Sequence, residues 1–364
     1  MPIDRVAFYL VSFSGGGAER EMIYLANAFA IRGYVVDLIV HRHSGPLETL
    51  VDPRVNKVII DKTYLHDVFF LINYMRQKKP VYVMSALHVP NWALAISKAM
   101  SFTNTRVSWR VVTNLTYANK YIGDGITKMN RYAYPLLSRF VDSVICVSKG
   151  VADDVVNNYN IPSEKVKVMY NPAYNDEIHE QANCSASHRW LNGKYQTVVA
   201  MGRLSIAKGF DDLIISFKAV HIENDKARLI IFGEGELRGS LEQLIDKLGL
   251  SEYVELYGFE INPYKYLSKA DLFVSSSVYE GFGNVIVEAL ALNIPVVSTN
   301  CPSGPSEILD NGTWGRLVSV GDTEALSIAI LESLSNPHGR DTNVRAKVFT
   351  VDQVVCDYIK IINS

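Results

Sequence analysis

The feature that most constrains this fold is a repeated alternation of short apolar runs with helical stretches. The first half of the chain contains runs rich in Val, Ile and Tyr at Arg5–Val11, Val35–His41, Asn56–Asp61, Val81–Ala86, Arg106–Val112 and Ser143–Ser148. Such runs are typical of strands that are covered on both faces, as in parallel sheets. Between the first two runs, the pattern predicts a crossover helix over Glu19–Arg32 that ends before Gly33.

A second series of the same kind follows a stretch that mixes Pro, Asn, Ser and His without a period. Its predicted strands are Thr197–Arg203, Ala227–Gly233, Val254–Gly258, Leu272–Ser277, Pro295–Thr299 and Gly315–Val318. Two such series predict an α/β protein with two doubly wound, Rossmann-like domains that face each other across a cleft. We expect domains at 1–172 and 196–350, a linker at 173–195, and a last helix at 351–364 that packs back towards the first domain.

Length and composition fit a soluble protein of two domains. The 364 residues are 48% apolar and 20% charged, which is ordinary for globular proteins. No apolar run approaches the ~18 residues that span a bilayer, and no secretory signal precedes the first strand. Because the four cysteines are scattered without metal-type spacing, we expect reduced thiols and a cytoplasmic location.

Charge is divided unevenly between the two halves of the chain. Residues 1–170 carry 20 Lys and Arg against 13 Asp and Glu, whereas the remainder carries 16 against 25, and the net charge is −2. An excess of basic charge in one half indicates an anionic partner there. A chance distribution of solvated surface charge is the alternative.

The segment Tyr279–Leu290 is the strongest indication of function. Glu280 and Glu288 lie eight residues apart across a glycine-containing turn that follows a predicted strand and opens into a helix. A helix start favours phosphate through its unpaired N–H groups, and carboxylates accept hydrogen bonds from sugar hydroxyls. The segment therefore offers groups for both halves of a sugar nucleotide. A pair of capping or surface carboxylates is the alternative.

A glycine-rich loop, Ser14–Arg20, lies between the first strand and the first helix. Its glycines let the backbone approach a ligand closely, so Gly16 and Gly17 are candidate donor-binding residues. A tight turn without a ligand is the alternative. A dinucleotide fingerprint is disfavoured, because Arg20 stands where the third glycine is required, and Gly233–Arg238 fails in the same way.

Arg203 and Lys208 follow the first predicted strand of the second domain. Cations fixed at the carboxyl edge of a strand suit a diphosphate, and solvated surface charge is the alternative. No Asp-x-Asp sequence occurs that could hold a divalent metal on a diphosphate, and His41, His43 and His88 lack metal-type spacing. We therefore expect no metal and no cofactor, with the two cations and helix-start amides stabilising the leaving group.

An ordered set of motifs makes the chain resemble the retaining glycosyltransferases of family 4, which have the GT-B fold, over nearly its whole length. The motifs are the early Gly-Gly-Gly loop, Gly-Arg-Leu-x-x-x-Lys-Gly at 202–209, Phe-Gly-x-Gly at 232–235, Leu-x-Gly-Phe at 256–259, Glu280-x7-Glu288 and Gly-Pro-x-Glu-Ile at 304–308. Each motif is weak by itself, whereas the ordered set is specific.

The resemblance implies roles for residues of the second domain. Glu280 would contact hydroxyls of the donor sugar, and Glu288 would accept hydrogen bonds from the ribose. Phe259 and the loop that contains Gly235 would border the base. The residues that would offer backbone amides to the sugar and the diphosphate are Phe282, Gly283 and Asn284.

Three residues of the first domain are candidate site residues with open alternatives. His88 follows a predicted strand, where the resembled family often has a histidine beside the donor sugar, and a packed or capping histidine is the alternative. Arg110 either contacts an anionic acceptor or pairs with a local carboxylate. Lys149, at the end of another predicted strand, has the same two interpretations.

The segment Tyr117–Phe140 carries an amphipathic pattern. Its basic residues are Lys120, Lys128, Arg131 and Arg139, and its apolar and aromatic residues include Tyr121, Ile126, Met129, Tyr132, Leu136 and Leu137. Such a face suits an anionic membrane surface, and the buried side of a core helix is the alternative. We expect peripheral binding to the inner face of the cytoplasmic membrane.

Residues and resemblance together predict a metal-independent, retaining glycosyltransferase. It would move a hexose or N-acetylhexosamine from a UDP-sugar to a lipid-linked sugar or oligosaccharide in the assembly of a surface polysaccharide or glycan, with no nucleic-acid partner. A sugar-nucleotide epimerase or hydrolase of the same fold would turn over the donor without an acceptor. A non-catalytic nucleotide-binding module is the third class, and the two glutamates argue against it.

Overall fold

The computed structural model describes residues 4–14, 16–43, 45–175, 177–336 and 340–363, so Gly15 of the glycine-rich loop lies outside the described residues. The chain divides into two compact units, the first formed by Met1–Pro172 with Val351–Ser364 and the second by Ala173–Thr350. Each unit contains one parallel sheet. No helix within the described residues combines the length and the apolarity needed to cross a membrane.

Within its described residues, the first unit contains seven parallel strands: β1 Arg5–Leu10, β2 Val35–Val40, β3 Asn56–Ile59, β4 Tyr82–Ala86, β5 Arg106–Val111, β6 Ser143–Cys146 and β7 Val166–Val168. Its helices are α1 Gly17–Ile31, α2 Tyr64–Lys78, α3 His88–Ser101, α4 Leu115–Tyr121, α5 Gly125–Leu137, α6 Lys149–Tyr159 and, at the end of the chain, α15 Val351–Asn363. The strand order is β3-β2-β1-β4-β5-β6-β7.

Alternate residues of β1 supply the two cores of this unit, as the strand period of two requires. Phe8 packs in a core with Phe29 of α1 and Tyr358 of α15. Tyr9 belongs to the opposite core, with Leu71 of α2. Both faces of the sheet are therefore covered, which explains why its strands have continuous apolar sequences.

The described part of the second unit contains six parallel strands: β8 Gln196–Met201, β9 Ala227–Phe232, β10 Val254–Gly258, β11 Leu272–Ser275, β12 Val296–Thr299 and β13 Arg316–Val318. Its helices are α7 Glu177–Ala182, α8 Phe210–Glu223, α9 Arg238–Lys247, α10 Tyr264–Leu267, α11 Asn284–Ala291, α12 Pro305–Ile308, α13 Thr323–Ser335 and α14 Asn343–Ala346. The strand order is β10-β9-β8-β11-β12-β13. The two doubly wound, parallel-sheet domains predicted from the sequence are confirmed.

One expectation from the sequence is corrected, and one strand was missed. Residues 173–195 are not a separate linker, because they contain α7 and bury Ile178 and Trp190 within the second unit. Strand β7 was not predicted, since this edge strand is short and its side chains are half-buried or exposed. Most of the predicted strands extend one or two residues beyond the observed carboxyl ends, where the chain leaves the ladder and enters the loops.

The strand order reverses at one place in each sheet, between β1 and β4 and between β8 and β11. Ligands of open α/β sheets bind beyond the carboxyl ends of the strands at such a switch point. The loops that follow these four strands are therefore the expected positions of ligand-binding residues.

Candidate active site

Two predicted site residues contact each other at the switch point of the second unit. Lys208 lies in the turn after β8, and Glu280 lies in the loop after β11. Lys208 Nζ is 2.5 Å from Glu280 Oε1, and the two side chains are 21% and 12% exposed. The fold thus brings the predicted phosphate-binding cation into an ion pair with the predicted sugar-binding carboxylate.

The turn that carries Lys208 is fixed against the end of β11. Ser276 Oγ donates to the carbonyl oxygen of Lys208 at 2.8 Å. The N–H of Val278 donates to the carbonyl oxygen of Ala207, also at 2.8 Å. Gly209 has a φ of +56°, and a Cβ atom there would lie 2.3 Å from the carbonyl oxygen of Ser276. Only glycine allows this close approach, which gives the Lys-Gly pair of the motif a structural reason.

Helix α11 begins directly after the loop that carries Glu280. Its first residue is Asn284, and Gly283 before it has a φ of +108°. The Phe282 side chain is buried and meets the ring of Phe349 edge-on, with centroids 5.3 Å apart. The site therefore contains the start of a helix, as predicted, with its entry fixed by an aromatic contact.

Glu288 lies on the second turn of α11. Its Oε1 atom accepts a hydrogen bond from the hydroxyl of Tyr264 at 3.1 Å. Tyr264 is not among the residues predicted from the sequence, because a tyrosine on a four-residue helix carries no motif. The carboxylate predicted to bind ribose therefore already has a hydroxyl partner of the kind that a ribose would supply.

The other predicted donor-binding residues of this unit are on its surface or serve its packing. Arg203 is exposed and makes no ion pair with a described residue, and Phe259 is 61% exposed. At Gly235, a Cβ atom would lie 2.4 Å from the carbonyl oxygen of Leu204. Glycine is therefore needed at 235 for the loop after β9 to pack on the loop after β8.

In the first unit, His88 begins α3 directly after β4. The Nδ2 group of Asn130 donates to His88 Nδ1 at 3.0 Å, and the Tyr134 hydroxyl lies 3.3 Å from the same atom. Burial lowers the pKa of His88 below its usual 6.5. Burial thus favours the neutral ring, and in that form Nδ1 can accept from the Asn130 amide while Nε2 carries the proton. Leu87, just before it, has a φ of +73°, a conformation that non-glycine residues rarely adopt.

A carboxylate lies at the glycine-rich loop of the first unit. Gly16 caps α1 and Gly17 is its first residue, and a Cβ atom at Gly16 would lie 2.2 Å from Glu19 Oε2. A carboxylate in the first turn stabilises the helix through its dipole. The same carboxylate would repel an anionic ligand, which weighs against a phosphate site in this loop.

Arg110 belongs to a buried ion pair. Its side chain is 0% exposed, and Nη1 lies 2.8 Å from Oε2 of Glu21, a residue of α1. Its Nη2 donates to Asn171 Oδ1 at 2.7 Å. Of the two interpretations of Arg110, the structure supports the pairing with a local carboxylate; contact with an acceptor is contradicted, because no part of the side chain reaches the surface.

Lys149 is the first residue of α6. Its side chain is exposed, and the preceding Ser148 caps the helix by accepting a hydrogen bond from the N–H of Val151 at 3.2 Å. A lysine at the start of a helix gains nothing from the helix dipole. Nothing in the cap itself therefore explains why a cation stands here.

Helix α5 has an outer face that is both apolar and basic. The exposed side chains are Ile126 at 42%, Met129 at 56%, Tyr132 at 79% and Leu136 at 56%, and the exposed basic residues on α4, α5 and the turn after it are Lys120, Lys128, Arg131 and Arg139. The interpretation of this stripe as the buried side of a core helix is wrong. The inner face of α5 instead carries Asn130 and Tyr134, which contact His88.

Metal ligands are not grouped in the part of the chain that the structure describes. Residues 4–14, 16–43, 45–175, 177–336 and 340–363 contain no cluster of three or more His, Cys, Asp or Glu side chains with the geometry of a metal site. The charged groups at the second switch point are instead an ion pair.

Two family models match the chain, one for each half. The model for "Glycosyltransferase Family 4" matches residues 15–174, and the model for "Glycosyl transferases group 1" matches residues 187–348. The fold and the site thus define a glycosyltransferase. The chain is a glycosyltransferase similar to those of family 4, as its motifs predict.

Similar proteins from bacteria match along most of their length. An N-acetylgalactosamine-N,N'-diacetylbacillosaminyl-diphospho-undecaprenol 4-alpha-N-acetylgalactosaminyltransferase of Campylobacter jejuni is 27% identical, with 98% of this chain and 99% of that protein covered. The lipopolysaccharide core biosynthesis glycosyltransferase LpsE of Rhizobium meliloti is 27% identical, with 86% of this chain and 84% of that protein covered.

Solved structures share the fold at lower identity. Anabaena HepE in complex with UDP and glucose has a TM-score of 0.82 and 20% identity, with 99% of both chains covered. Sucrose-phosphate synthase of Thermosynechococcus elongatus has a TM-score of 0.79 and 16% identity, with 99% of this chain and 98% of that chain covered. The predicted GT-B fold is confirmed.

Proposed function

We propose that this glycosyltransferase moves a hexose or N-acetylhexosamine from a UDP-sugar to a lipid-linked sugar, with retention of configuration and without a metal, in the assembly of a surface polysaccharide or glycan. The name of the Campylobacter relative gives a diphospho-undecaprenol-linked acceptor and a 4-alpha transfer. The Anabaena structure contains UDP. Both support the proposed substrates.

The observation that carries the proposal is the contact between Lys208 and Glu280 at the switch point, beside the start of α11. A lysine ammonium has three donors, so Lys208 can bind a diphosphate oxygen and remain next to Glu280. Arg203 and the amides at Gly283 and Asn284 would share the phosphate charge. Glu280 would then orient the sugar by accepting from its hydroxyls.

Retention follows in this proposal from attack on one face of the sugar. The acceptor oxygen forms a bond to the anomeric carbon as the bond from that carbon to the diphosphate oxygen breaks. The acceptor proton passes to the departing phosphate. A covalent intermediate would instead require a carboxylate nucleophile on the opposite face of the sugar. Glu280 is not this nucleophile in the proposal, because it pairs with Lys208 and orients the sugar. His88 is proposed as a further sugar-contacting residue, as the resemblance implies.

A panel of UDP- and GDP-sugars with lipid-diphosphate-linked acceptors tests the function. We expect UDP release that requires the acceptor, an α-linked product by NMR, and an unchanged rate in excess EDTA. Equal donor turnover without an acceptor would identify an epimerase or a hydrolase. A chelator-sensitive rate that magnesium or manganese restores would contradict the metal-independent reaction.

We also propose that the outer face of α5 binds an anionic membrane surface, which is where a lipid-linked acceptor lies. Exposed Met129 and Tyr132 lie beside exposed Lys128 and Arg131, and each basic residue near such a surface contributes about 1 kcal/mol of attraction. Binding should therefore require anionic lipid and weaken as salt rises.

Liposome co-sedimentation tests this contact with a matched charge change. The variant Lys128→Glu, Arg131→Glu should lose binding to anionic vesicles, whereas Lys226→Glu, Lys247→Glu, which reverses two exposed lysines of the second unit, should retain it. Equal sedimentation of wild type with neutral and anionic vesicles, or equal losses in the two variants, would leave α5 as ordinary surface.

A further inference from the structure

Two neighbouring serines at the end of β11 are buried and bonded to the two charged residues of the site. Ser276 and Ser277 are 1% and 2% exposed. Buried hydroxyl groups are stable only when they have hydrogen-bond partners. Here the partners are the backbone of Lys208 and the side chain of Glu280, which no motif of the sequence assigns to them.

Ser277 holds the carboxylate. Its Oγ donates to Glu280 Oε1 at 2.7 Å, the same oxygen that pairs with Lys208. The backbone of Ser277 is itself fixed, because Thr299 Oγ1, at the end of β12, donates to its carbonyl oxygen at 2.6 Å. The neighbouring strand therefore determines where the hydroxyl that meets Glu280 lies.

Ser276 contacts the backbone of Lys208. Its Oγ donates to the carbonyl oxygen of Lys208 at 2.8 Å, so that it fixes the turn and not the ammonium group. The hydroxyls of the two adjacent serines thus bond to two different parts of the site, the turn after β8 and the carboxylate of Glu280. Each serine thus controls one partner of the ion pair.

We propose that Ser276 and Ser277 are positioning residues with separate effects, Ser276 on donor binding and Ser277 on turnover. The inference rests on the proposed function, in which Lys208 meets the diphosphate and Glu280 meets the sugar. When a diphosphate attracts Lys208, the hydroxyl of Ser277 remains as the neutral donor that keeps Glu280 in place. The bond from Ser276 fixes the point from which the Lys208 side chain extends.

Alanine variants separate these two effects. The affinity for UDP is measured by titration calorimetry, and kcat and KM are measured with a UDP-sugar. Ser277→Ala should lower kcat roughly tenfold, as the loss of a hydrogen bond to a charged group predicts, with the Kd of UDP within about twofold of wild type. Ser276→Ala should weaken UDP binding by about three- to tenfold with a smaller change in kcat.

A matched control comes from the same unit. Ser327 in α13 is also buried, and its Oγ donates to a backbone carbonyl oxygen, that of Glu324, at 2.8 Å. Ser327→Ala should change neither UDP affinity nor kcat. Ser277→Thr, which keeps the hydroxyl, should recover most of the turnover, and Ser277→Cys, a weaker donor of similar size, should give an intermediate kcat and replaces the alanine variant if that variant fails to fold.

The outcomes distinguish this inference from the proposed function. Wild-type kcat in Ser277→Ala, or parallel losses of kcat and UDP affinity in both serine variants, would overturn the separate positioning roles while transfer by the wild type stands. A wild type that neither binds UDP nor turns over any nucleotide sugar would overturn both proposals.

Discussion

Each unit contains an ion pair between a basic side chain and a glutamate, but one pair is partly exposed and the other is buried. This difference in exposure distinguishes a binding residue from a structural one. Lys208 and Glu280 are 21% and 12% exposed, whereas Arg110 and Glu21 are 0% and 5% exposed. A partly exposed cation can turn to a ligand while water replaces part of its contact. A fully buried cation cannot, because its carboxylate would be left as an unpaired buried charge. A charged residue at the end of a strand is therefore a binding candidate only if it reaches the surface.

The largest expected effect tests the buried pair. Arg110→Met leaves Glu21 without its cation, and breaking a buried ion pair by removing one partner costs about 3–5 kcal/mol. We expect a lower free energy of unfolding in denaturant titrations of Arg110→Met, with partial recovery in Arg110→Met, Glu21→Gln. Lys208→Met is the matched control and should change the stability much less. Full stability of Arg110→Met would mean that the pair is not the structural contact we infer.

The next effect tests the partly exposed pair. Glu280→Gln should lower turnover by roughly tenfold to a hundredfold, because a charge-assisted contact to the sugar is worth about 1.5–3 kcal/mol. It should leave UDP binding unchanged or tighter, since UDP lacks the sugar and Lys208 no longer has to be shared with a carboxylate. The measurements are kcat with a UDP-sugar and the Kd of UDP by calorimetry.

The control for this prediction is a glutamate in an ion pair away from the switch point. Glu242 pairs with Arg238 at 2.9 Å and is 52% exposed, so Glu242→Gln should change neither quantity. Weaker UDP binding by Glu280→Gln would show that Glu280 supports the nucleotide and does not compete for Lys208.

The comparison also shows what the sequence can predict. The second unit follows its motifs closely, because Lys208, Glu280 and the start of α11 lie in strand-to-helix loops whose position depends on local sequence and on the strand order. The ion pair itself could not be predicted, since 72 residues separate its two members. Ser276 and Ser277 belong to a polar end of a predicted strand, and this polarity was the signal that they leave the ladder.

The first unit was less predictable at its candidate site. The sequence identified Arg110 and His88 as candidate site residues, but their partners come from distant elements. Glu21 lies on α1, and Asn130 and Tyr134 lie one helical turn apart on α5. An i, i+4 pair on a helix predicts a shared face, yet nothing in the sequence indicates which residue that face meets. Long-range side-chain contacts depend on how helices pack.

The smallest effect concerns His88, which is partly buried and neutral, unlike either ion pair. Burial lowers its pKa, so the unfolded chain binds a proton at this residue more readily than the folded chain. Its contribution to stability is therefore present above the ordinary histidine pKa of about 6.5 and is lost as the pH falls through the folded pKa. If neutral His88 is required, the acid limb of kcat/KM should lie below about pH 6.5.

Replacing Asn130, which donates to His88, should move the acid limb of kcat/KM. Asn130→Asp places a carboxylate where the amide lies 3.0 Å from Nδ1, and a neighbouring negative charge favours the imidazolium form. We expect the acid limb to move up by about one pH unit, and the decrease in stability on acidification to become smaller. Asn130→Ala removes a hydrogen bond that the neutral ring accepts but adds no charge, so it should raise the limb less than Asn130→Asp does. An acid limb that is identical in wild type and Asn130→Asp, measured as kcat/KM between pH values of about 5 and 8, would show that the protonation of His88 does not limit the reaction.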